Sequence, residues 1–308
     1  MTTPIILDCD PGHDDAIALL LAVASPELEL VGVTTVSGNQ TIEKTTANAL
    51  RVLEFAGRGD VPVHRGAGAP LVRDVYVADY VHGESGLDGP ELPPPAGAPG
   101  ERHAVDYLAD EIRARGGRIT LVPTGPLTNV ALLLALHPDA RPERIVLMGG
   151  AAGEGNRTSA AEFNIWADPE AAKRVFAAGL DVTMIGLDVT HKALVTDAHT
   201  ERLRAAGRVG RMVAELLDFY SAFHRRAYTD LAGSPMHDPV AVAHVSHPGL
   251  VTTRPAFIDV DCGWEQGRGR TNVDHRGRGE HPPNAAVGLD IDADAFGELI
   301  VERIASLG

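Results

Sequence analysis

The residues Asp8-Cys9-Asp10-Pro11-Gly12-His13-Asp14-Asp15 place four carboxylates within eight positions. Two like charges about 4 Å apart repel by roughly 4 kcal/mol at an effective dielectric near 20. Such crowding is tolerable only if a proton or a cation sits among the acids. Oxygen donors favour a hard cation, Ca²⁺ or Mg²⁺. Asp14 and Asp15 also suit the first turn of a helix, whose dipole favours negative charge there, but this accounts for two acids and not four. The apolar run Ile5-Ile6-Leu7 before them reads as a buried parallel strand. Ala16–Ala22 reads as the next helix, with Pro11-Gly12 as the turn. The acids thus stand at the C-terminal end of a strand, where open α/β sheets bind ligands.

Other predicted strand ends carry polar groups or flexible backbone. They are Ser37-Gly38-Asn39, Thr124-Gly125-Pro126-Leu127-Thr128-Asn129 and Met148-Gly149-Gly150. Taken alone, Gly-Pro-Leu-Thr-Asn is a helix start. Beside the acids it becomes a source of a carbonyl ligand. The stretch from Asn156 through Glu162-Phe163-Asn164 to Asp168-Pro169 offers two amides and a carboxylate just before a helix. A helix cap explains Asp168 and Pro169 but not the other three. Such a row of donors and acceptors suits the hydroxyls of a ribose. Met236-His237-Asp238-Pro239 supplies a distant acid that could complete a cation shell. By itself a His-Asp pair is ordinary surface or cap chemistry. Of 13 histidines, only His82 and His237 are assigned roles, while His13 and His191 read as structural.

The elements that must position these groups alternate as strands and helices, which predicts an α/β fold. Strands are predicted at Ile5–Cys9, Leu30–Val36, Ile119–Pro123, Ile145–Met148, Val182–Leu187 and Ala256–Val260. Helices are predicted near Thr41–Ala56, Ala104–Ala114, Leu127–Leu136, Pro169–Ala177, Val209–Tyr228 and Ala293–Ser306. The expected architecture is an open, mostly parallel sheet with flanking helices, a Rossmann-like core, and a helical C-terminal part. Tyr80–Gly100 and Gly263–Pro283 read as loops. With 308 residues, 44% hydrophobic, and no break in composition, one domain spanning 1–308 is expected. A net charge of −15 argues against nucleic acid or an anionic membrane surface as partner. Two cysteines imply no disulfide framework, and no leader or membrane span is visible, so a cytoplasmic location is expected.

The Asp-rich opening and the Ala161-Glu162-Phe163-Asn164-Ile165 stretch resemble the inosine–uridine-preferring nucleoside hydrolases over nearly the whole chain. The resemblance implies one Ca²⁺ per subunit, held by Asp10, Asp15, Asp238 and the Thr128 carbonyl. It implies ribose binding by Asp14, Asn156, Glu162 and Asn164, with Asn39, Met148 and Phe163 lining the pocket. His82 would lie near the leaving base. The implied reaction hydrolyses the N-glycosidic bond of ribonucleosides, with Asp10 as ligand and proton acceptor and His237 protonating the base. The opening looks closest to pyrimidine-preferring bacterial members, which suggests uridine and cytidine, with inosine as a further candidate. A homodimer or homotetramer is implied as well. Departures from the family concentrate in Phe219–Asp230 and in Gly263–Pro283, and Arg225 and Arg226 in the first are unusual for a base pocket. Two rivals are a haloacid-dehalogenase-type phosphohydrolase and a ribonucleoside-binding protein without turnover.

Overall fold

The computed structural model describes residues 2–227 and 231–308. The chain first alternates strand and helix. It runs β1 (Thr3–Cys9), α1 (His13–Ala24), β2 (Leu28–Thr35), α2 (Ile42–Phe55), β3 (Val63–Arg65), α3 (Asp79–His82) and α4 (Ala104–Ala114). It continues β4 (Thr120–Pro123), α5 (Thr128–Leu136), β5 (Arg144–Met148), α6 (Phe163–Ala167), α7 (Pro169–Phe176) and β6 (Val182–Ile185). A more helical part follows, with α8 (Leu187–Thr190), β7 (Leu194–Val195), α9 (Asp197–Arg204), α10 (Gly207–Ala227), β8 (Ser234–Pro235) and α11 (His237–Ser246). The chain closes through β9 (Val251–Ala256), β10 (Ile258–Val260), β11 (Thr271–Val273), β12 (Ala285–Ile291) and α12 (Ala293–Ala305).

Eight strands form one sheet in the order β3-β2-β1-β4-β5-β6-β12-β9. Every pairing in it is parallel except that of β12 with edge strand β9. The chain winds outward from β1 to β3, then returns to β4 on the other side of β1. That reversal opens a crevice above the C-terminal ends of β1 and β4, the usual ligand position in such sheets. Alternate residues of β1 serve opposite faces. Ile5, Leu7 and Cys9 pack with α1, α11 and α12, whereas Ile6 packs with α4, α5 and α7. Helix α1 is buried from His13 to Ala22, so its first turn is held rigidly beneath the crevice. Each of its fully buried leucines contributes about 1.5–3 kcal/mol.

One sequence expectation is corrected. Ala256–Val260 is not one strand, since the chain leaves the main sheet after Ala256 and residues 258–260 pair with β11 in a separate hairpin. The helical C-terminal part also supplies β9 and β12 to the main sheet. Tyr228 at the end of the predicted long helix lies outside the described residues. Among the described residues, no helix is long and apolar enough to cross a membrane.

Candidate active site

Two helix starts meet above β1 and β4. Helix α1 carries Asp14 and Asp15 in its first turn, and α11, which packs against α1, carries Asp238 in its own. Unpaired N–H groups and the helix dipoles make both ends favourable for negative charge. One oxygen each from Asp14, Asp15 and Asp238 lies within 4.8 Å of the others. Asp15 is held by the Asn39 amide at 3.0 Å, the Gly12 main-chain N–H at 3.1 Å and the Thr124 hydroxyl at 2.8 Å. Asp14 accepts from the Tyr220 hydroxyl at 3.3 Å.

Asp10 is fully buried beside this trio. Its Oδ2 accepts the Asn39 main-chain N–H at 2.6 Å, and its Oδ1 has no partner. Gly38 and Gly125 flank the carboxylate so closely that a Cβ on either would fall 2.1 or 2.5 Å from one of its oxygens. Burial pushes the Asp10 and Asp238 carboxyls well above the usual range, and repulsion from neighbouring carboxylates adds to the shift. Asp14 is raised for the same two reasons, and Asp15 by burial. Packed carboxylates that resist ionisation, with one oxygen buried and unpartnered, are the donor set a hard divalent cation would fit. Asp8, counted with them in the sequence, has a different task. It accepts from Thr34 at 2.6 Å and Asn129 at 2.8 Å, which ties β1 to β2 and to the start of α5.

The threonine expected among the acids is not Thr128. The chain turns away after β4, and Thr128 opens α5 with its hydroxyl donating to Asp168 at 2.7 Å. Thr124, at the strand end itself, is the one that faces the cluster. Its hydroxyl donates to Asp15, and its carbonyl accepts from Asn164 at 2.7 Å with a second lone pair still available. Strand-end position was the available signal, and helix-start chemistry at Gly-Pro-Leu-Thr-Asn concealed it.

A cavity opens over the acids. Asp14, Asn39, His82, Met148, Asn156, Glu162, Phe163, Asn164, His237 and Asp238 all line it, together with Thr124. Its polar wall is built by α6. Glu162 caps that helix, accepting N–H groups of Asn164 at 2.8 Å, Gly150 at 2.9 Å and Ile165 at 3.1 Å. Burial nevertheless pushes its carboxyl up to about 7. Asn156 accepts the Phe163 N–H at 2.9 Å through Oδ1, which leaves its amino group to donate. Asn164 spends its amino group on Thr124 and leaves Oδ1 to accept.

The opposite wall is aromatic. Helix α10 presents Tyr220, Phe223 and His224, at i, i+3, i+4 spacing on one face. Arg225 and Arg226 do not line this cavity, which removes the charge that the sequence seemed to bring to it. Arg225 instead bonds Ser221 at 2.7 Å. His82 accepts the His13 main-chain N–H at Nδ1, at 3.2 Å, and His237 Nδ1 lies 2.7 Å from the Thr190 hydroxyl. Burial lowers the basicity of both rings, so both are neutral at neutral pH. His13 lies behind them, bonded to the Asp88 carbonyl at 2.8 Å, with its Nδ1 3.1 Å from His82 Nδ1 and its ring stacked on Phe219. The segment leading to α3 is pinned at Ala67 by Asn129, at Leu71 by Asp168, at Arg73 by Glu170 and at Ala78 by the Asn39 carbonyl.

Residues 5–298 match the family model of inosine-uridine preferring nucleoside hydrolases. The pyrimidine-specific ribonucleoside hydrolase RihA of Shewanella sp. (strain ANA-3) is 52% identical over 99% of this chain and 97% of its own length. RihA of Klebsiella pneumoniae is 51% identical over 99% of both. Among solved structures, the purine-preferring ribonucleoside hydrolase from Gardnerella vaginalis superposes with a TM-score of 0.93 at 36% identity, over 99% of this chain and 98% of that one. The plant nucleoside hydrolase PpNRh1 gives 0.92 at 33% identity, over 99% and 100%. With acids and a polar wall meeting at the sheet's point of reversal, and with relatives matched end to end, the chain belongs to the inosine-uridine preferring nucleoside hydrolase family.

Proposed function

We propose that this chain is a single-domain, calcium-dependent ribonucleoside hydrolase that prefers uridine and cytidine. The observation that carries the reading is one cavity in which a crowded carboxylate cluster faces a wall of amides and a carboxylate. Family membership leaves the phosphohydrolase alternative without support. The pyrimidine preference rests on relatives at 51–52% identity named pyrimidine-specific, against 36% for the purine-preferring one.

Asp10, Asp15, Asp238 and the Thr124 carbonyl would hold the ion, with Asp14 bridging the cluster and the cavity. When bound, the ion supplies a positive charge that makes a nearby water more acidic. Asp10, with one oxygen free, takes the proton from the attacking water. Asp14, Asn156, Glu162 and Asn164 grip the ribose hydroxyls and fix the ring. Positive charge developing at C1′ is stabilised by the surrounding carboxylates. His82 and His237 stand at the base, and as neutral rings they assist its departure by donating hydrogen bonds. Asn39, Met148 and Phe163 shape the floor. The protein would act in the cytoplasm as a homodimer or homotetramer, as is usual for the family.

The test is release of free sugar from a panel of nucleosides. Uridine and cytidine should be hydrolysed fastest, chelation should abolish activity, and Ca²⁺ should restore it. Equal rates on uridine and 2′-deoxyuridine would overturn the hydroxyl-binding roles. Binding of uridine without release of ribose in a single turnover would overturn the enzymatic reading.

A further inference from the structure

Thr190 ends α8, is fully buried, and places its hydroxyl 2.7 Å from His237 Nδ1. A hydroxyl and an imidazole nitrogen at this distance share one proton, and the atom that carries it sets the tautomer of the ring. No other hydrogen bond reaches the Thr190 hydroxyl among the described residues. A buried hydroxyl that fails to donate is strongly disfavoured. Thr190 therefore donates, Nδ1 accepts, and the ring proton belongs on Nε2. His237 lines the cavity, and among the described residues nothing bonds its Nε2.

His82, at the same end of the cavity, has no such lock. Its Nδ1 lies 3.2 Å from the His13 main-chain N–H and 3.1 Å from His13 Nδ1, whose own Nε2–H is given to the Asp88 carbonyl, so the two contacts ask opposite roles of it. His237 is therefore the ring whose polarity the fold sets. A ring so held reads hydrogen-bond acceptors, such as the carbonyl oxygen beside the glycosidic nitrogen of a pyrimidine.

We propose that Thr190 is a positioning residue that fixes His237 as the Nε2–H tautomer and so keeps a hydrogen-bond donor aimed at the leaving base. The inference rests on the placement of His237 at the base in the proposed function. As the C1′–N bond breaks, its electron pair leaves with the base, and charge gathering on the base carbonyl accepts the Nε2–H bond. The proton stays on His237. Water forms the new bond to C1′, and the proton it gives to Asp10 passes through solvent to the departed base.

The experiment compares wild type, Thr190→Val, Thr190→Ser and His237→Ala on uridine and on 4-nitrophenyl riboside, whose leaving group needs little help. Thr190→Val should lower kcat on uridine about tenfold, the size of one hydrogen bond, with KM nearly unchanged. Its activity on the nitrophenyl riboside should stay close to wild type, and Thr190→Ser should recover most of the loss. Long-range ¹H–¹⁵N spectra should show a single Nε2–H form of His237 in wild type and a mixture in Thr190→Val. A wild-type spectrum with the proton on Nδ1 would overturn the proposal without any variant. Equal losses on both substrates, or none, for Thr190→Val would overturn it too. Should His237→Ala lose equally on both substrates, the placement of His237 at the base falls; should only Thr190→Val fail to discriminate, the role of Thr190 alone falls.

Discussion

Replacing Gly38 or Gly125 with alanine tests whether Asp10 must sit where it does. Neither glycine has a positive φ, so the backbone accepts alanine, and the perturbation is purely one of space. At Gly38 the new Cβ would stand 2.1 Å from Asp10 Oδ2, about 1.3 Å short of ordinary contact at 3.4 Å. At Gly125 it would stand 2.5 Å from Oδ1, about 0.9 Å short. Asp10 cannot retreat cheaply, because Oδ2 is tied to the Asn39 N–H at 2.6 Å. Breaking a hydrogen bond to a buried charge costs about 1.5–3 kcal/mol, or roughly 10- to 100-fold in binding. Displacement of a reacting group by about 1 Å costs about 10²-fold in rate. Both variants should therefore lose about 10²-fold in kcat on uridine and need at least tenfold more calcium for half-maximal activity, with unchanged circular dichroism. Gly249→Ala, whose Cβ meets nothing within 4 Å, is the control and should behave as wild type. Wild-type turnover and calcium dependence in Gly38→Ala would refute the assignment of Asp10 as ligand and proton acceptor.

The two threonines separate cleanly by substitution. Thr124→Val should raise the calcium requirement about tenfold by removing a bond to Asp15, whereas Thr128→Val should leave it unchanged and lower unfolding free energy by about 1–3 kcal/mol through Asp168. The reverse pattern would reinstate Thr128 in the cluster. Metal-free stability should also fall with rising pH above about 6.5. Glu162 is raised to about 7, and Asp10 and Asp238 well above the ordinary carboxylate range, so in that window the folded state binds more protons than the unfolded one. The slope of unfolding free energy with pH is then negative. Buried His13, His82, His224 and His237 are lowered and pull the other way, but only below the ordinary histidine pKa near 6.5. Melting curves in chelator from pH 6.5 to 8 check this, with calcium rescuing most at the alkaline end; a Tm that climbs across that range would contradict it.

Much of the fold was readable because strands with both faces covered are continuous apolar runs bounded by turns. Strand β1 and the helix after it could hardly be read otherwise. Short β3 offers only three residues to a pattern, and β12 enters beside β6 by pairing across about 100 positions of sequence, a contact that no local window contains. The acids and the amide wall were legible because their crowding has no cheap structural explanation. Thr124 was hidden since a threonine before Gly-Pro looks like any turn residue, and only three-dimensional placement separates it from Thr128. On α10, the spacing of Tyr220, Phe223 and His224 already marked one face, with the arginines falling on another.

The placement of Asp238 has a bearing on how the molecule matures. The cluster joins Asp10, at the end of the first strand, to a helix that begins at His237. Synthesis from the N-terminus leaves early carboxylates crowded together for most of translation, short of the late partner that completes the grip on an ion. Ion capture then waits on α11, and a product broken off before that helix would be mute rather than partly active.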